Sequence, residues 1–538
     1  MRIRDGWWRD LPATAVALVT ALWAGYGLLV VPGSLQWMRS GAFHTFWLTP
    51  WNSLFFCVLG LGAFFCRGGE PLRRFLLLAA GLVLVGAGDA FTFLVGLELI
   101  ILLLAWGNRR LLPFFRGQAG VAAIAWGFWQ SALHAKSPLL ADLAESTLTG
   151  RSLTEAGVVI SLGFLLLLWE ACREREAMGR WVLLCGSVYG LATFFLQLLS
   201  LEERSVPALL IVAGAAFTLC GARFLFRVAA DGKNAGRDVC ADAAADCADL
   251  AEMECGAAAE VESTCPAGSF TRGASLVEAG WMVLALGMGL YLLVQGKAGL
   301  SLIGFTAMTV LLLQLALVQG FGRESGGSGR WILGKGPGTL GFVALWLLLQ
   351  AAITLQWRDP GSRVLLLPAV LAAAGGWISL WLPFIASWRS GKSGDDSVSM
   401  QRMKNALAAF LSVVTGIFPL LAVLPVQQVL QNGELKLPMG DMAGLIWGGS
   451  GHYAVYSPVL TACTLVVLLA FAMLAVKGGE RHEESVYAVG ALLPPGTDFT
   501  SGGTPGDGDR SLHHECGAEG QRQGGKLPPP SLPSAGRR

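Results

Sequence analysis

Long apolar runs, cut by arginine, glycine and proline, recur along most of the chain. A helix needs about 20 apolar residues to cross a bilayer. By that pattern the spans fall at 11–31, 46–66, 73–88, 90–106, 118–134, 156–171, 181–200 and 207–226, and then at 275–294, 300–320, 338–355, 364–386, 405–425 and 457–476. The runs at 73–88 and 90–106 are short and share a Gly86-Ala87-Gly88-Asp89-Ala90 turn. Asp89 in that turn reads as a helix N-cap. The expected fold class is an all-α integral membrane protein with about 14 transmembrane helices. Two segments break the pattern. Residues 229–272 are alanine-rich and acidic, and the chain from about Lys477 is rich in Gly, Pro and Ser, a composition that cannot bury a core. The expected organisation is a membrane half at 1–228, a polar cysteine-containing insert at 229–272, a second membrane half at 273–476 and a disordered tail at 477–538.

Composition agrees with the pattern. Hydrophobic residues make up 54% of the chain and charged residues 14%, against about a quarter charged in soluble domains. A very large soluble core is the alternative, and the recurrence of span-length runs excludes it. The net charge of +2 implies no nucleic-acid partner. The placement of charge says more than the sum. With the N-terminus inside, the inside loops before the tail carry 24 of the 39 Lys and Arg, and the opposite loops carry eight. Positive residues concentrate in cytoplasmic loops, so the expectation is a multi-pass protein of the cell membrane with both termini cytoplasmic. The first run, after MRIRDGWWRD, lacks a small-residue cleavage site and is expected to be retained as a span.

The chemistry-bearing residues are few. The 11 cysteines suggest no disulfide framework, and Cys57, Cys185 and Cys463 lie within apolar runs as small hydrophobes. Cys240, Cys247, Cys255 and Cys265 of the insert are separated by six, seven and nine residues, without the tight pair that zinc and cluster sites usually show. No metal or cofactor is expected. There is no P-loop, no dinucleotide fingerprint and no His-Glu-x-x-His. Gly334-Lys335-Gly336-Pro337-Gly338 reads as a turn between spans. Trp7, Trp8, Trp47, Trp51, Trp377, Trp381 and Trp388 sit near span ends, where amphipathic rings are favoured.

Glu98 stands out, a carboxylate in the middle of the apolar run GDAFTFLVGLELIILLLAW. A charge at that depth costs about 2.5–3.5 kcal/mol on insertion scales. It either titrates in an ion path or hydrogen-bonds another helix structurally.

The surroundings of Glu98 resemble a known family. A short span, a Gly-Asp turn and then Phe-x-x-x-x-Leu-Glu-Leu are similar to the proton-channel, antiporter-like membrane subunits of respiratory complex I, hydrogenase-4 and formate hydrogenlyase-type complexes and Mrp antiporters. Further pieces follow in order: FWLTPWNSLFFCVLGLGAFF (46–65), AADGKN (229–234), the stretch 274–320 that begins ASLVEAGWMVLALG, GGWISLWLPF (375–384) and MKNALAAFLSVVTGIFPLL (403–421). The stretch 274–320 is most like the hydrogenase-type members. The resemblance implies an antiporter-like bundle with inverted repeats. It also implies proton-translocation candidates at Glu98, Glu278, Glu170, Gln314, Gln319 and Lys233. It departs from the family at its membrane lysines. The region where the family has a lysine-bearing broken helix reads ISLGFLLLLWEACRERE (160–176), and Glu170 is its nearest ionisable group. Gln314 and Gln319 stand where the family has His and Lys. No cationic partner for Glu98 is visible within the spans. Glu278 reads as a channel residue or a solvated helix end, and Glu170 as an interfacial charge beside Arg173.

The function implied is a membrane-arm subunit of an energy-converting oxidoreductase complex. It would move H⁺ or Na⁺ while partner membrane and hydrophilic subunits carry the redox centres. A non-conducting scaffold subunit and an unrelated polytopic transporter are the alternatives.

Overall fold

The structure is a computed structural model, and it describes residues 7–30, 35–40, 44–66, 70–108, 111–135, 140, 150–195, 204–249, 266–296, 298–321, 331–336, 338–358, 363–388 and 399–432. The helices are α1 (Trp7–Val30), α2 (Pro50–Phe65), α3 (Pro71–Val85), α4 (Ala90–Asn108), α5 (Leu111–Ala132), α6 (Gly150–Arg173), α7 (Ala177–Thr193), α8 (Ser205–Asp249), α9 (Pro266–Val294), α10 (Ala298–Val318), α11 (Leu340–Arg358), α12 (Arg363–Trp388), α13 (Ser399–Ile417) and α14 (Leu420–Asn432). Among the described residues the fold is all-α apart from one short antiparallel hairpin between α1 and α2, formed by β1 (Leu35–Ser40) and β2 (His44–Leu48).

Thirteen of the expected spans coincide with helices, and 457–476 lies outside the described residues. Thr154–Arg173, Ser205–Arg227, Arg272–Val294 and Leu300–Val318 are long and apolar enough to cross a membrane by themselves, and five further apolar helices are shorter. Exposed apolar side chains such as Tyr26, Phe91, Leu102, Trp106, Phe115 and Trp129 cover the outer surface of the bundle. In water such a surface would be a liability, whereas in lipid it is the expected one.

Local sequence explains the joints. Asp89 caps α4, its Oδ1 accepting from Thr92 N at 2.7 Å and its Oδ2 from Thr92 Oγ1 at 2.8 Å. This bears out its reading as an N-cap. Pro50 opens α2 behind Thr49, whose hydroxyl accepts from Asn52 N at 3.1 Å. The span expected at 156–171 is one helix: α6 runs unbroken to Arg173, and α7 starts after a three-residue turn. A break falls instead within the run 405–425. There α13 and the start of α14 meet at 101°, with Pro419 at the junction. Proline lacks the N–H that would continue the ladder, so the chain turns there.

α8 continues as helix from its membrane-length part through the first half of the acidic insert to Asp249. Its apolar part packs on α9 through glycines at seven-residue spacing, Gly214 and Gly221 on one helix and Gly273, Gly280 and Gly287 on the other. A Cβ on Gly280 would lie 2.7 Å from Gly214 O, so the backbones themselves touch. Small residues of this kind let membrane helices approach closely. Trp51, read as an interfacial ring, is instead buried, and its Nε1 donates to Thr193 Oγ1 at 3.0 Å.

Candidate functional site: a buried lysine–glutamate pair

α9 carries Glu278 six residues into its membrane-length stretch, with Trp281 one turn further on the same face. Opposite lies the loop before α11. It is pinned by hydrogen bonds from Lys335 N to Ile332 O (3.1 Å) and from Gly336 N to Trp331 O (2.9 Å), and Thr339 caps α11. The loop is a turn, as its glycines require, but its lysine does not point to solvent. Lys335 is fully buried, and its Nζ donates to Glu278 Oε1 at 2.9 Å. The ammonium also sits 5.5 Å from the centroid of the Trp281 ring. Lys335 adopts φ +54°, a left-handed conformation that glycine takes at no steric cost and lysine does not. Glycines flank it on both sides, yet the lysine occupies the strained position.

Glu278 is therefore neither a solvated helix end nor without a cation. Its partner comes from a loop, so the search for lysines within spans missed it. The composition of the segment offered one signal, a single Lys among glycines immediately before an apolar helix.

The other candidates fall in separate places. Gln314 of α10 adjoins the pair. Its Nε2 donates to Ile332 O at 3.4 Å and its Oε1 accepts from Ser412 Oγ of α13 at 2.9 Å. Gln319 donates to Leu315 O of its own helix at 3.2 Å and does not join this group. Glu98 is half-buried and accepts from Gln118 Nε2 of α5 at 2.7 Å. Glu170 is buried and pairs with Arg116 of α5 at 3.2 Å, correcting the expectation of an interfacial charge beside Arg173. The backbone of Lys233 lies in α8, and its side chain is outside the described residues, as are those of the four insert cysteines.

A belt of charge surrounds this end of the bundle. Lys404 of α13 donates to Phe64 O at 2.9 Å and Arg74 to Cys66 O at 3.3 Å, so two cations satisfy carbonyls at the C-terminus of α2. Arg73 pairs with Glu176 in the turn before α7 and also reaches the last turns of α4 at Leu103 O (3.2 Å). Burial pushes the Glu176 carboxyl above the usual carboxylate range, and the Arg73 guanidinium partly offsets this. Cys172, at the end of α6, packs against Leu276 and Ala279 beside Glu278.

Comparison with solved structures places this arrangement. A chain of the Mrp complex from Dietzia sp. DQ12-45-1b superposes with a TM-score of 0.56 at 12% identity, covering 79% of this chain and 92% of that one. The chain shares the fold of that subunit. A chain of the membrane-bound sulfane sulfur reductase, an archaeal respiratory membrane complex, gives a TM-score of 0.51 at 14% identity, again covering 79% and 92%. No family model and no curated protein matches the sequence. At these identities the shared property is the fold. It is that of a membrane-embedded, multi-pass subunit whose structural relatives are parts of multi-subunit membrane complexes.

Proposed function

We propose that the chain is a membrane-arm subunit of an energy-converting complex, and that it moves protons or other cations by making and breaking the Glu278–Lys335 pair. The buried contact between a span carboxylate and a loop ammonium carries this reading. Burial favours the neutral form of a carboxylate, and an adjacent cation favours the charged form. When the ammonium leaves, Glu278 takes one proton from a hydrated path. When the ammonium returns, that proton is expelled. A water path is supported by buried polar atoms that have no hydrogen-bond partner among the described residues: Thr306 Oγ1 on α10, Trp346 Nε1 on α11 and both amide atoms of Gln427 on α14. Such groups are usually satisfied by water. α14 packs against α10 and α2, which places Gln427 among these helices. Glu98, hydrogen-bonded to Gln118, is a second candidate for the path in this reading. The redox centres belong to partner subunits.

Proton uptake by vesicles holding the assembled complex tests the assignment. Glu278→Gln keeps the shape and removes titration, and should lower uptake by roughly 10²-fold or more without loss of assembly. Lys335→Gln should do the same. Wild-type uptake in both variants would leave the pair a structural contact and the chain a scaffold. Glu98→Gln in the same assay decides whether that carboxylate conducts.

A further inference from the structure

The seat of Lys335 is built by four helices, and one side chain ties two of them to it. Gln314 is fully buried and uses both ends of its amide, donating to the loop at Ile332 O and accepting from Ser412 of α13. Its stem lies beside the lysine. A Cβ on Gly341 would come 2.8 Å from Lys335 Cγ and 3.2 Å from Gln314 Cγ. A second contact joins α13 to the loop directly, because at Gly416 any Cβ would collide with Gly338 O and the Thr339 backbone. One residue later α13 ends at the 101° break, where no continuous ladder of backbone bonds holds its direction.

The geometry points to Gln314 as a positioning residue through which α13 governs the Glu278–Lys335 contact. Gln314 does not titrate, and none of its hydrogen bonds goes to the pair itself. It acts by fixing the loop. Displacing α13 would leave a buried amide unsatisfied at one end, which is unfavourable. The arrangement in which loop and α13 move together is therefore favoured over one in which they part. The strained backbone at Lys335 works in the same direction, since a residue held at φ +54° relaxes when its surroundings let go. Tilting of α13 about its break thereby reaches Lys335 through Gln314 and the Gly416–Gly338 contact.

This inference rests on the pair being the switching element, and the test separates the two. Gln314→Leu, Ser412→Ala and the reciprocal swap Gln314→Ser/Ser412→Gln are assembled in the complex and placed in vesicles. Amide hydrogen exchange over 331–339 and proton uptake are measured for each. Both single variants should speed exchange in the loop by about tenfold, the size of one buried hydrogen bond lost, and should lower uptake in parallel. The swap rebuilds the α10–α13 hydrogen bond but leaves Ile332 O without its donor, so exchange in the loop should stay fast. Wild-type exchange in Gln314→Leu, or in the swap, overturns the positioning role. If Gln314→Leu fails to assemble, Ser412→Ala and the swap carry the same test. Unchanged uptake in Glu278→Gln would remove the functional reading, and the exchange measurements would still decide whether Gln314 holds the loop.

Discussion

At the scale of the residue, Lys335 combines strain, full burial and charge in one side chain. Removing one partner of a buried ion pair strands the other in low dielectric, which costs about 3–5 kcal/mol, whereas replacing both with apolar groups of similar volume is often neutral. Lys335→Met should therefore lower thermal stability markedly, as should Glu278→Leu. The double variant should recover most of the loss while remaining inactive. Equal destabilisation by the double variant and the sum of the singles, measured by denaturation in detergent, would mean the two groups do not interact. Asp89 and Lys335 mark the limits of sequence reading at this scale. The role of Asp89 is local: it caps a helix whose first turn follows immediately, so three residues of context decide it. The role of Lys335 depends on a carboxylate 57 positions earlier in the chain. A lysine between glycines is otherwise a solvated turn residue, and its place just before an apolar helix is the one local hint to the contrary. Glu278 and Gln314 were legible as polar positions in apolar runs, whereas their partners Lys335 and Ser412 were not, because partnership is a property of packing.

At the scale of the element, apolar periodicity was a sufficient guide to where helices lie, since membrane helices must satisfy their backbone internally and each span is one long run. It was a poor guide to where they break. The run 405–425 reads as one span, but it breaks at Pro419, where the proline itself was the visible signal. The seven-residue glycine spacing on α8 and α9 was likewise present in the sequence, and its meaning appears once the two helices are seen to be neighbours. That interface holds α9 from the face opposite Glu278, which lies two residues from Gly280. A side chain at Gly280 would meet Thr218 as well as the backbone of Gly214. Gly280→Leu should force the helices apart by more than side-chain adjustment can absorb, abolishing assembly or sharply lowering yield. Gly375→Leu is the control, because a Cβ there meets nothing within 4 Å. Equal yields from the two variants, quantified by fluorescence size-exclusion chromatography, would show that close α8–α9 packing is not what holds α9 in place.

At the scale of the whole molecule, the arrangement of charge and the arrangement of contacts support one another. Arginines at the starts of α3 and α5 and lysines before α11 and at the start of α13 were assigned to one side of the membrane from loop charge alone. The contacts bring these positions together: Arg73 with Glu176, Arg116 with Glu170, Lys404 with the end of α2, and the end of α6 with Glu278 and hence with Lys335. A wrong span count between α2 and α13 would have put some of these groups on opposite faces. Their common placement at one end favours the cytoplasmic assignment of that end, since the bias toward Lys and Arg is a property of inside loops. Reporter fusions after Gly107 and after Gly391 should then both report cytoplasm. These two sites lie far apart in the chain and follow different numbers of spans, so an error in either half moves one of them. A periplasmic signal at Gly107 alone would invert the first half and separate Arg73 from Lys404 across the bilayer. A periplasmic signal at both sites would keep the cluster intact and turn the whole subunit over, so that Lys335 would reach Glu278 from the outer side and the pair would load its proton from the opposite compartment.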